Sequence, residues 1–202
     1  MTMEREAECQ TEVGARRHFA FVIQPPRDLS SAIECRNEMA RQTIGGCPPP
    51  LSPPHVTLLY MPCSLLDRRR LCRAVTAVRA TVPFSLRYAG IHVSSYGTVQ
   101  LLVQPRSWLQ RLHGALVSAM GLDDLAQMAA HRRLELFGTA NLGDGYSSHI
   151  TLGQFGTQAE DAAQYFATLP ETEQVLSDLW VADATGPLDL RLAIKLQGSA
   201  GR

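Results

Sequence analysis

The stretches His55-Val56-Thr57-Leu58 and His149-Ile150-Thr151-Leu152, HVTL and HITL, are near copies of each other, and each sits in a run rich in β-forming residues. Side chains along a strand alternate between its two faces, so His55 and Thr57 share one face while Val56 and Leu58 share the other. The same parity sets His149 and Thr151 against Ile150 and Leu152. Each stretch offers an imidazole and a hydroxyl on a polar face, anchored by an apolar face turned to a core. Two such strands facing one another build a site.

The flanking segments read as alternating strands and helices. HFAFVIQPP, His18 to Pro26, is a strand closed by a proline pair, and a helix is predicted from Asp28 to the Gly45-Gly46 stop. The proline-rich Cys47 to Pro54 lacks amide donors and holds φ, so it is a stiff loop delivering the first motif. Ser64 to Ala80 has amphipathic helical spacing, and its Arg68, Arg69, Arg70 and Arg73 read as a solvated face rather than a phosphate site. FSLRYAGIHV and TVQLLVQ form a hairpin around Ser94 to Gly97. A helix from Trp108 to Met120 follows, then a shorter helical piece from Asp123 to His131 and a Gly-, Asn- and Asp-rich loop into the second motif. A further helix is expected from Thr157 to Thr168. Two last strands, EQVLSDLWVAD and LDLRLAIKLQG, are expected to close a sheet as a hairpin. With the motif histidines 94 positions apart, the order describes two related α+β halves.

Composition narrows the function classes. Apolar residues make up 45% and charged residues 19% of the 202, which suits a globular core rather than disorder. Basic and acidic residues balance at 19 each, so there is no positive field to hold a nucleic-acid duplex. Five cysteines, odd in number and without a CxxC pair, speak for reduced thiols in a cytoplasmic protein rather than disulfides or a zinc ribbon. The charged N-terminus has no apolar segment to act as a signal or membrane anchor. Residues 1–17 are expected to be a flexible tail, 18–196 a single bilobal domain and 197–202 a second loose tail, in a chain working as a monomer.

Two histidines across a cleft suit phosphodiester cleavage, which needs one proton taken from the nucleophile and another given to the leaving oxygen. Imidazole titrates near pH ~6.5, so one ring can serve as base and its partner as acid with little tuning. The threonine two residues along lies about 6.5 to 7 Å from its histidine, within reach of a phosphate held between them. No metal or cofactor is needed. One tetrapeptide of this kind is a weak signal; the pair is informative.

On these residues the chain resembles the 2H phosphoesterase superfamily, whose LigT-like members carry paired His-x-Thr motifs in matching strands. PPHVTLLY resembles bacterial 2′-5′ RNA ligase-like proteins in particular. The resemblance implies a bilobal α+β fold with antiparallel sheets and outer helices around a central groove. It also implies metal-independent hydrolysis of 2′,3′-cyclic phosphates or 2′-5′-linked nucleotides, with a nucleotide or RNA end as the bound partner. Carried over, His55 and His149 are the acid/base pair and Thr57 and Thr151 bind phosphate. Many relatives place proline just before the second histidine, where this chain has Ser148. The same site acting on cyclic dinucleotides or 2′-5′ oligoadenylates, and a silent nucleotide-binding module, are the alternatives. A zinc hydrolase lacks a nearby third ligand, Asp144 being the closest carboxylate to His149.

Tyr146 and Phe155 flank the second motif and are candidates for stacking on a base, Phe155 because strict alternation puts it on the face of His149. His18 is either a neighbour of the groove or a strand-end surface residue. His92, His113 and His131 lack a threonine partner and receive no role.

Overall fold

The computed structural model describes residues 18–44, 53–123, 146–185 and 187–198. Both expected tails through residue 17 and from 199, most of the proline-rich loop, the helical piece beyond Asp123 and the loop up to Gly145 lie outside them. Among the described residues the chain runs β1 (His18–Ile23), α1 (Arg27–Ile44), β2 (Val56–Pro62), α2 (Arg68–Arg79), β3 (Phe84–Val93), β4 (Thr98–Gln104) and α3 (Arg106–Ala119). It continues with β5 (His149–Gln154), α4 (Ala159–Phe166), β6 (Thr172–Leu176), β7 (Asp178–Asp183) and β8 (Asp189–Lys195). All eight strands join one sheet in the order β6-β3-β4-β5-β2-β1-β7-β8, every pairing antiparallel.

The α+β expectation holds, and so does the division in two. Strands β2, β1, β7 and β8 are covered by α2 and α3, and strands β6, β3, β4 and β5 by α1 and α4. The helices lie on one face because each buries one stripe; Leu29, Ile33, Asn37 and Ala40 are that stripe on α1. Buried side chains from all four helices and from both halves of the sheet merge into one core. A polar tie crosses between the halves: Tyr88 Oη donates to Gln174 Oε1 at 2.6 Å, and Gln174 Nε2 donates to the Gln24 carbonyl at 3.2 Å.

Three sequence expectations need correction. The run read as one strand, EQVLSDLWVAD, is two: β6 pairs with β3 in one half, and after Ser177 β7 pairs with β1 in the other. The closing hairpin is therefore β7 with β8. Positions one and seven of a flat sheet would lie roughly 29 Å apart, far more than one residue spans, so the sheet curls. Secondly, the helix expected from Ser64 starts at Arg68, because Asp67 takes an extended backbone and its carboxylate accepts the Arg70 N–H at 2.7 Å, capping the helix there. Thirdly, the chain stays held past residue 196: the N–H groups of Gln197 and Gly198 donate to the carbonyls of Arg79 and Thr81.

The arginine run behaves as a helix face. Arg68 and Arg69 are exposed, while Arg70 and Arg73 donate to the carbonyls of Leu65 and Ala119. At the β3–β4 hairpin Gly97 has φ +71°, and a side chain there would bring Cβ to 2.3 Å from the Gly156 carbonyl oxygen. That close approach seats the hairpin tip on the turn after β5.

Candidate active site

The two halves of the sheet meet where β2 pairs with β5, through Val56 opposite Ile150. In an antiparallel pair this register sets position 55 beside 151 and position 57 beside 149, so each motif's histidine lies across from the other motif's threonine. Val56 and Ile150 are fully buried under the helices, whereas His55, Thr57 and His149 are half-buried and Thr151 exposed on the opposite face, which is helix-free among the described residues. The two histidines are diagonal neighbours, a relation that corresponds to about 7 to 8 Å in regular sheet. Electrostatics agrees with this closeness, since charge on His55 disfavours charge on His149.

A β-bulge ends each motif at the same place. Between β1 and β2 the partners step from Val22–Thr57 to Phe21–Leu59, leaving Leu58 as the extra residue. Between β4 and β5 they step from Gln100–Thr151 to Val99–Gly153, leaving Leu152 extra. A bulge reverses the parity beyond it. Leu58 and Leu59 are thus both in the core, and Tyr60 emerges on the helix-free face.

The same reversal corrects the reading of Phe155. Beyond Leu152 its ring turns into the core, 9% exposed and against Phe166. Tyr146 is also buried, at 6%, with its hydroxyl donating to the Thr57 carbonyl at 3.1 Å. Neither ring is open to a base.

Both motif histidines are held alike. The Nδ1 of His55 lies 2.8 Å from the Pro53 carbonyl, and the Nδ1 of His149 lies 2.8 Å from the Ser147 carbonyl. A carbonyl only accepts, so Nδ1 carries the hydrogen in both and the proton-exchanging lone pair is on Nε2. Burial lowers the pKa of both rings, and for His149 the charges of His55 and His92 lower it further. Both rings are thereby biased towards the neutral form.

His113, given no role by its sequence context, supports this arrangement from α3. It is 2% exposed, its Nδ1 donates to the Leu58 carbonyl at 2.6 Å, and its ring stacks on Tyr146 at 4.3 Å with planes 5° apart. The bulge frees the Leu58 carbonyl from the ladder, and His113 supplies the donor that a buried carbonyl requires. Together His113 and Tyr146 hold two consecutive carbonyls of the first motif. Ser148, standing where many relatives have proline, is 1% exposed and donates its hydroxyl to the Val103 carbonyl at 2.8 Å.

Two groups with no local signal also reach the helix-free face. His92 pairs with Gln100, and Gln100 with Thr151, so the three form one row across β3, β4 and β5. Only the register of three strands reveals it. Among the described residues no three of His, Cys, Asp and Glu gather as metal ligands would, and no helix is long and apolar enough to cross a membrane.

A family model described as the 2′-5′ RNA ligase superfamily matches residues 30–186. The chain belongs to the 2′-5′ RNA ligase superfamily. Its expected kinship with the LigT-like 2H phosphoesterases is met in the fold as well. The Thermus thermophilus protein TT0787 matches with a TM-score of 0.60 at 16% identity, over 90% of this chain and 99% of that one. E. coli LigT, solved with 3′-AMP, matches at 0.57 and 15%, over 89% and 97%. A protein described as a phosphoesterase matches at 0.58 and 14%, over 89% and 98%. Among curated proteins none matches. Identities this low carry the fold; within the superfamily, this chain's own residues carry the chemistry.

Proposed function

We propose that this chain is a phosphodiesterase that hydrolyses 2′,3′-cyclic phosphates or 2′-5′-linked nucleotides, with His55 and His149 exchanging the protons and Thr57 and Thr151 holding the phosphate. The observation that carries this reading is the antiparallel crossing at Val56 and Ile150, which brings two imidazoles and two hydroxyls to one face. With Nδ1 of each ring bound to a carbonyl, Nε2 of one histidine takes the nucleophile's proton. Nε2–H of the other protonates the leaving oxygen. The threonine hydroxyls donate to the non-bridging oxygens, where negative charge grows in the transition state. That E. coli LigT has been solved with 3′-AMP and with phosphate supports a nucleotide phosphate as the ligand.

No step in this scheme passes through a metal. Purified protein incubated in EDTA with a panel of 2′,3′-cyclic nucleotides and 2′-5′- and 3′-5′-linked dinucleotides is expected to open the cyclic esters or cut the 2′-5′ linkages at full rate. Turnover that disappears on chelation and returns with a divalent cation defeats the two-histidine scheme.

The lowered imidazole pKa values set a pH dependence. The active form has one ring protonated and one neutral, and in the free enzyme both protonations fall below the usual value of about 6.5. We expect kcat/KM to be greatest below pH ~6.5 and to fall as pH rises through neutrality. The alkaline limb of kcat should lie higher, because bound phosphate stabilises the imidazolium. Since the folded-state values are depressed, the unfolded chain binds more protons between the two, so stability also declines as pH drops below ~6.5. A kcat/KM that stays flat or climbs from pH 6 to 8 contradicts this.

A further inference from the structure

The helix-free face is not alike on its two sides. On the β3–β5 side its strands carry Gln100, Leu102 and the imidazole of His92. On the β1–β7 side it carries a separate apolar cluster in which Ala20, Val22 and Ala182 are buried and Tyr60 and Trp180 pack around them, half-buried. The register ties this cluster to the phosphate-holding residues. Val22 pairs with Thr57 on one side and with Trp180 on the other, so Thr57, Val22 and Trp180 form one row. Two strand spacings, about 10 Å, separate Trp180 from Thr57. Ala20 likewise stands between Tyr60 and Ala182. The two large rings close over these small side chains and keep part of their own apolar surface open as a shelf, with His18 stacked face to face on Tyr60 at 5.0 Å on its outer side.

From this geometry we infer that the Trp180–Tyr60 shelf is the subsite for the substrate's nucleobase, with the ribose spanning the gap to a phosphate held at Thr57 and Thr151. The inference rests on the phosphodiesterase reading and adds to it a direction: the base lies over β1 and β7, and the Gln100–His92 side receives the other substituent of the phosphate. A planar base has two apolar π-faces and matches the half-exposed indole and phenol rings that close over this small apolar cluster; a bare phosphate or sugar does not. Stacking tolerates any base, so the site is selective for having a base more than for its identity.

Trp108 is the other of the two tryptophans and stacks on Phe84, away from the motifs, so a W108F protein leaves Trp180 as its one indole reporter. Titrating W108F with adenosine 3′-monophosphate is expected to quench its emission saturably, and inorganic phosphate alone is not. In the same background, Trp180→Ala should lower the ratio of kcat/KM for a 2′,3′-cyclic nucleotide to that for a base-free ribose 2′,3′-cyclic phosphate on the order of 10- to 100-fold. Trp180→Phe should restore most of that ratio. Absence of quenching, or a ratio unchanged in Trp180→Ala, overturns the subsite while leaving phosphodiesterase activity standing. Emission that changes with protein concentration instead of nucleotide also overturns it, assigning the shelf to a second copy of the chain. Should wild-type protein cleave no phosphodiester, the function proposed above fails, and the titration still decides whether the shelf takes a base.

Discussion

Alanine at position 55 or position 149 is expected to lower turnover of the preferred phosphodiester by about 10²- to 10⁴-fold while leaving the protein folded. Each ring serves one of two proton transfers in a single displacement, so either loss stops the same step. The double variant should therefore be little worse than the weaker single variant, far short of the product of the two effects. Nδ1 of each histidine is engaged by a carbonyl two residues upstream, and the rings are half-buried on the helix-free face rather than in the core. Their removal should consequently shift the melting temperature by only a few degrees. Both single variants are assayed beside wild type on the same substrate, with circular dichroism to verify folding. If they remain folded and retain wild-type rates, the assignment of the protons to these rings is lost.

The second large effect belongs to a residue outside the motifs. His113→Leu leaves the buried Leu58 carbonyl without its donor, at a cost of about 1 to 3 kcal/mol. It also removes the stack on Tyr146, a further ~0.5 to 1.5 kcal/mol. Some of this is recovered because leucine is less costly to bury than imidazole, for a net loss of about 2 kcal/mol. A chain of this length should then melt roughly 4 to 8 °C lower. Activity should fall too, on the order of 10-fold even well below the melting transition, because the freed bulge carries Thr57 and the neighbouring ring out of alignment. Tyr146→Phe, which removes only the hydrogen bond to the Thr57 carbonyl, should lose about half as much stability. A His113→Leu protein with unchanged melting temperature and rate shows that the bulge holds its shape without the histidine.

These two expectations differ in how far the sequence supported them. His55, Thr57, His149 and Thr151 stand out because a tetrapeptide recurs, and the helix-free placement of each pair follows from the two-residue alternation of a strand. His113 has no such mark: its partners are main-chain carbonyls, which any sequence provides, and it meets them only because α3 packs over β2. Tyr60 and Trp180 were hidden for a related reason. Counting by twos from His55 puts position 60 on the core face, and only the extra residue at Leu58 turns it outward. The identical device at Leu152 takes Phe155 from the face where counting puts it and buries it.

What the sequence by itself determined is local. Chain geometry dictates which side chains share a face, where a proline pair interrupts an element, and that each motif strand has one apolar and one polar side. What only the tertiary structure decided is which of these faces meet. Residues 173–183 read as one strand because hydrophobic alternation cannot reveal that its two ends pair with different lobes. The pairing of Val56 with Ile150 joins segments 94 positions apart, and its register depends on burying both lobes' apolar faces under four helices at once. That burial is a property of the assembled sheet, so no window of sequence contains it.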